Sequence, residues 1–194
     1  RNFHWYYTND KRPWTQGLAR NLGASKAKGE YFLFTDIDHI ITYEAIDAVL
    51  NFNGDKMVFK RYFAILDRRG NIISDSQTIL DFGLDKGRYR KRGLSGGMHG
   101  NTSAIRKSIF ERLNGYDPKH CERGFHVGGK FMSEERDFNR RYERLVAAKE
   151  VLPQVIGPNI HVYPTSKFRA DKDNNPFGLF HTLNLEQIQQ PMKE

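Results

Sequence analysis

The apolar positions of this chain fall into short blocks whose period changes along the sequence. In TQGLARNLGASKAKGE, residues 15–30, Leu18, Leu22 and Ser25 recur at helical spacing with Ala24 and Ala27 beside them. That spacing predicts a helix with this stripe inward, stopped near Gly29. The next block, YFLFT at 31–35, is apolar at consecutive positions. Such a run predicts a strand inside a sheet with both faces covered by helices. It ends on two carboxylates one residue apart, Asp36 and Asp38.

The pattern continues with TYEAIDAVLNF, a short helix with Thr42 as N-cap and Ile46, Val49 and Leu50 inward. KMVFKRYFAIL reads as a strand, and DRRGNIIS as a Gly-Asn turn into a partner strand. Residues 81–101, rich in glycine and charge, read as one long loop, the kind of segment that often serves function. AIRKSIFERLNGYDP predicts a helix closed by its Asn-Gly pair. SEERDFNRRYERLVAAKE is the clearest helix, with Phe138, Tyr142 and Leu145 as its buried stripe. Beyond Pro153 the chain is rich in Pro and Asn and is expected to be an irregular tail, 153–194. The blocks together predict a single α/β domain whose motif-bearing core is about residues 15–145.

Composition narrows the class. Hydrophobic residues make up 38% of 194, enough for a core, which excludes a disordered chain. No apolar run reaches the roughly 18 residues of a membrane span. The first ten residues, RNFHWYYTND, do not read as a secretory signal. Cys121 is the single cysteine, so no internal disulfide forms, which suits a reducing, cytoplasmic setting. The net charge of +8 favours polyanionic partners: phosphorylated substrates, nucleic acid, or peripheral attachment to an anionic membrane surface. Its densest run, KGRYRKRG at 86–93, also suits a solvated loop, and no nucleic-acid-binding motif accompanies it, so nucleic acid is not expected as a partner.

Candidate chemistry lies in two acidic clusters and a histidine. Asp-x-Asp alone is weak, and the chain contains a control: Asp171 and Asp173 follow no apolar strand and read as loop residues. Asp36 and Asp38 differ because they follow a strand, at the carboxyl end where open α/β sheets bind ligands. Two carboxylates there suit Mg²⁺ or Mn²⁺, hard cations that keep positions open for phosphate oxygens; the alternative is the start of a loop. Glu134, Glu135 and Asp137 open the clearest helix, where they offset its dipole or present a general base. His161, in the strand-like NIHVYP, is either structural or a further metal ligand beside Asp36 and Asp38. His39, His99, His126 and His181 are not ranked by sequence, and His120 with Cys121 lacks zinc spacing.

The order of these pieces resembles a known family. GLARNLGASKAKGEYFLFTDIDHI is similar to the middle segment of GT-A-fold glycosyltransferases of the family-2 type: an Ala-Arg-Asn-x-Gly helix, Ala-x-Gly-Glu, then a hydrophobic strand ending in Asp-x-Asp. GGMHGNTSAIRKSIFERLNGYDP resembles their acceptor-side glycine loop, helix and Gly-Tyr/Phe-Asp turn. SEERDFNRRY resembles their Glu-Asp-x-Asp-(Leu/Phe)-x-x-Arg motif.

The resemblance implies a GT-A mixed sheet flanked by helices and a nucleotide-sugar donor. It also implies transfer to a saccharide or other hydroxyl-bearing acceptor with inversion at the anomeric carbon. Asp36 and Asp38 would bind Mn²⁺ or Mg²⁺ on the donor diphosphate, with Arg20 and Asn21 on the donor side. Gly96, Gly97, Asn101, Asp137 and Arg140 would meet substrate. The base is Asp in the family; here it is Glu135, one methylene longer, with Glu134 as its rival. The family normally opens with a strand, a helix and a second strand that hold the nucleotide base, and RNFHWYYTND does not match that unit. The first third of the fold is therefore expected to lie outside these residues, which predicts an open sheet edge and weak donor binding. Two other readings keep the same residues: Mg²⁺-dependent nucleotidyl or phosphoryl transfer, against which stands the lack of a P-loop motif, and a non-catalytic basic module that binds polysaccharide or nucleic acid.

Overall fold

The structure, a computed structural model, describes residues 3–12, 15–37, 39–66, 71–75, 95–121, 126–127, 130–131 and 133–162. Asp38, the basic run at 86–93, His181 and the second Asp-x-Asp pair lie outside the described residues.

The elements run α1 (Gln16–Lys26), β1 (Tyr31–Phe34), β2 (His39–Ile40), α2 (Tyr43–Leu50), β3 (Lys56–Phe63), β4 (Ile65–Leu66), β5 (Ile72–Ile73) and β6 (Ser95–Arg106). There follow α3 (Lys107–Arg112), a 3₁₀ turn at Pro118–Cys121, β7 (His126–Val127), β8 (Lys130–Phe131), α4 (Glu134–Ala147) and β9 (Val155–Val162). Five strands form one mixed sheet in the order β1-β6-β3-β9-β2; β3 and β9 are parallel and the other pairs antiparallel.

Helices cover both faces. On one, Phe32 and Ile105 pack against Phe110, Tyr116, Phe138 and Tyr142. On the other, Met57, Phe59, Ala104 and Ile160 pack under Ala45 of α2, with Val49 and Phe52 alongside. Thr42 caps α2, its hydroxyl accepting from the Ala45 N–H at 3.2 Å, and Ser133 caps α4 the same way from Arg136. The expected stripe of α4 holds: Phe138 and Tyr142 are buried, and Leu145 packs against them. The hairpin expected after DRRG is also present, Ile65 opposite Ile73.

Several expectations are corrected. The inward face of α1 is Gly17, Arg20 and Ala24, with Ser25 exposed, because Arg20 and Asn21 spend their polar ends inside. The inward face of α2 is Ala45, Ala48 and Val49, while Ile46 and Leu50 face out; small residues let the helix lie close on the sheet. Within 81–101, residues from Ser95 on are strand and not loop, since the backbone of Gly97 pairs with Arg61. The tail does not begin at 153: Val155–Val162 form a strand held between β3 and β2.

β1 is an edge of the described sheet, not an interior strand, and Leu33 is exposed. A groove of about 610 Å³ runs along that edge between β1 and the Ala19, Gly23 and Ala27 side of α1, and ends at Gln16, Arg20 and Asp36.

Candidate functional site

The site is built where β1 stops. Two residues past Phe34, Asp36 sits at the carboxyl end of the strand, its carboxylate largely enclosed. The chain then crosses the end of the sheet, the His39 N–H donating to the Asp36 carbonyl at 3.1 Å, and joins the opposite edge as β2. Ile40 there lies opposite His161, so the acidic turn and the histidine share one end of the sheet.

Helix α1 supplies the partners of Asp36. Arg20 donates from Nη2 to Oδ1 at 2.7 Å, and Gln16 donates from Nε2 to the same oxygen at 3.1 Å. The other arm of the guanidinium lies 3.6 Å from Glu134 Oε1. Arg20 and Glu134 are buried, and the guanidinium stands 5.4 Å over the Tyr116 ring. One cation thus joins the end of β1 to the start of α4.

Glu134 occupies an enclosed position, 3% exposed. Burial raises its pKa, opposed by the charge of Arg20 and by the backbone N–H of Gly17. Neither carboxylate oxygen has a full hydrogen-bond partner among the described residues. Glycine at 17 lets α1 lie close on Tyr116, because a Cβ there would stand 3.0 Å from Tyr116 Cβ; Glu134 Oε2, at 3.5 Å, would be in ordinary contact.

Glu135 points elsewhere. It is half-buried and lines a cavity of about 420 Å³ with Ser133, Asn139, Arg140 and Glu143. Below Asn139 lies Lys56, 1% exposed, whose ammonium donates to Asn139 Oδ1 and faces the rings of Phe138 and Tyr142. Burial pushes this lysine down to about 8, partly offset by Glu135 and Glu143.

The structure therefore separates the residues read from sequence. It brings Arg20, Asp36 and Glu134 into one contact, and Glu135 with Arg140 into one cavity. Asn21 is committed to the backbone of Tyr116, away from Asp36. Asp137 accepts from Arg141 at 3.0 Å and stands 3.6 Å from His120 Nε2; with Asp117, itself paired to Lys119, these groups brace the 3₁₀ turn against α4. Gly96, Gly97 and Asn101 lie on β6. His161 is half-buried, burial holds it toward the neutral form, and its Nδ1 has no hydrogen-bond partner among the described residues. Sequence reasoning missed Gln16, Lys56 and Tyr116. A lysine opening an apolar strand was the available signal for Lys56.

A family model described as glycosyltransferase like family 2 matches residues 1–63. That stretch, about a third of the chain, is similar to the family. The match takes in α1, β1, Asp36 and Asp38, whereas Glu134 and Glu135 lie beyond it. No curated protein matches the chain. The mixed sheet flanked by helices fits the GT-A type of fold that goes with that family.

Proposed function

We propose that this chain is the catalytic part of a metal-dependent glycosyltransferase that moves a sugar from a nucleotide-sugar to an acceptor hydroxyl with inversion. The observation that carries the reading is the Asp36–Arg20–Glu134 contact, which ties the Asp-x-Asp turn to the helix start bearing Glu135. A divalent cation suits the residues present: a carboxylate ending a strand, and a neutral imidazole with an unpartnered nitrogen at the same end of the sheet. Asp36, Asp38 and His161 would hold Mn²⁺ or Mg²⁺, which when bound neutralises charge on the leaving diphosphate.

The chain's own groups divide the remaining work. Glu135, reachable from the cavity it lines, is the base: it takes the proton of the acceptor hydroxyl as that oxygen attacks the anomeric carbon from the side opposite the diphosphate. The new C–O bond forms as the bond to the phosphate oxygen breaks, so the electron pair leaves with the nucleoside diphosphate and the anomeric centre inverts. Glu134, enclosed behind Arg20, does not meet the acceptor. Arg140, on the rim of the same cavity, offers an exposed cation to acceptor oxygens.

The test incubates the chain with a panel of nucleotide-sugars and simple saccharide acceptors, with Mn²⁺ or with chelator, and follows release of nucleoside diphosphate. Mn²⁺-dependent release that disappears in Asp36→Asn supports the reading. Release that chelator leaves unchanged overturns the metal dependence.

A further inference from the structure

We propose that Glu134 and Arg20 form a positioning relay: Glu134 draws on the charge of the guanidinium and thereby sets how strongly Arg20 holds Asp36, and how readily Asp36 takes a divalent cation. The inference rests on the metal reading given above, and goes beyond it by giving both residues a task that involves no contact with substrate.

The geometry is a line of three charges, minus–plus–minus. Arg20 Nη2 lies 2.7 Å from Asp36 Oδ1 and Nη1 lies 3.6 Å from Glu134 Oε1. The side chains of Arg20, Asp36 and Glu134 are 7%, 17% and 3% exposed, so water screens these interactions weakly. A cation approaching Asp36 meets a carboxylate whose charge is already shared with Arg20. The more of the guanidinium's charge Glu134 balances, the less opposes the incoming metal. Neutralising Glu134 leaves the full positive charge facing Asp36, which tightens the Arg20–Asp36 pair and disfavours the metal. Removing Arg20 does the reverse, and leaves Glu134 to act on Asp36 only through the weaker direct interaction of the two carboxylates.

Burial makes the relay stiff. Glu134 is enclosed beside Gly17, 3% exposed, and Arg20 is held over the Tyr116 ring. Asp36 follows the end of β1 and Glu134 is the first residue of α4, so the guanidinium also bridges these two elements.

The experiment is a Mn²⁺ titration, followed by the loss of the free-ion paramagnetic signal, at mildly alkaline pH where the carboxylates are ionised. It compares the full chain with Glu134→Gln, Arg20→Met, the double variant, and Asp36→Asn. Glu134→Gln is expected to weaken Mn²⁺ binding by roughly fivefold, the lower end of ordinary site-to-site coupling. Arg20→Met is expected to strengthen it, and Glu134→Gln to have a much smaller effect in that background than with Arg20 present.

A second arm needs no metal. In urea unfolding, Glu134→Gln and Asp36→Asn are expected to be non-additive when Arg20 is present and nearly additive when it is methionine. Should Arg20→Met fail to fold, the uncharged Arg20→Gln replaces it in both arms. Unchanged Mn²⁺ binding in Glu134→Gln, with binding lost in Asp36→Asn, overturns the relay and leaves the metal site standing. Binding that survives Asp36→Asn overturns the metal reading, and the unfolding arm alone then decides the relay. Additive unfolding in every background overturns it outright.

Discussion

Asn21 brackets the peptide of Tyr116: its Nδ2 donates to the Tyr116 carbonyl at 2.7 Å, and its Oδ1 accepts from the Tyr116 N–H at 2.8 Å. The clamp secures the turn in which Asn114 and Gly115 both take left-handed φ, 56° and 59°. It holds that turn against α1, one residue from the arginine of the site.

Removing the clamp leaves two enclosed backbone groups unpaired. Asn21→Ala is expected to destabilise the fold by about 1–3 kcal/mol, and Asn21→Asp, which keeps the acceptor and loses the donor, by less. Urea denaturation measures both. Mn²⁺ binding at Asp36 is expected to change far less than stability.

Lys56 sets a pH dependence. Its pKa falls from 10.5 to about 8 on folding, so the unfolded chain holds its proton through a range where the folded chain has released it. Stability from this group therefore rises as pH climbs from about 8 to 10.5, and the full penalty is present below 8. Lys56→Met is expected to raise stability at neutral pH by an order of 3 kcal/mol at most, and to flatten that alkaline rise. Thermal unfolding at several pH values reads both effects.

Glu135 and Glu134 should separate cleanly by kinetics and stability. Glu135→Gln is expected to lower kcat by roughly 10²–10⁴ with little change in melting temperature, as for loss of a general base. Glu134→Gln is expected to move the melting temperature and to lower kcat by much less. Equal kinetic losses in the two variants would return the base assignment to an open contest.

Asp38→Ala is expected to abolish Mn²⁺-dependent turnover while circular dichroism and melting temperature stay near those of the parent. A rate that does not change removes Asp38 from the metal set.

What the sequence made legible was periodic or local. The caps at Thr42 and Ser133, the stripe of α4, and the placement of Asp36 at a strand end follow from side-chain spacing and hydrogen-bonding chemistry within a few residues. What it hid depended on partners far along the chain. Arg20 reads as a donor-side residue, and its ion pairs appear only when Asp36 and Glu134 are placed beside it, 16 residues away in one case. Asn21 reads as a donor contact until Tyr116 takes both ends of its amide. Pro and Asn beyond 153 suggested irregular chain, yet β9 gains its order from strands on both sides, which composition does not reveal. Gly97 similarly pairs as strand with Arg61, and Gly96 falls at the register shift between that pair and Ser95 opposite Tyr62.

The phase of β1 follows from one bond, the Lys107 N–H to the Glu30 carbonyl. With Phe32 opposite Ile105, the amides of residues 30, 32 and 34 turn toward β6, and those of Tyr31 and Leu33 turn toward the groove. Neighbouring amides on one short strand thus belong to two classes of protection: Phe32 and Phe34 exchange only when the sheet opens, while Leu33 exchanges with solvent directly. Asp36 follows that strand by two residues, so on the sheet side its strand bears on β6 alone, and on the other side α1 meets its carboxylate through Arg20 and Gln16. The carboxylate at the heart of the site is suspended between one edge strand and one helix.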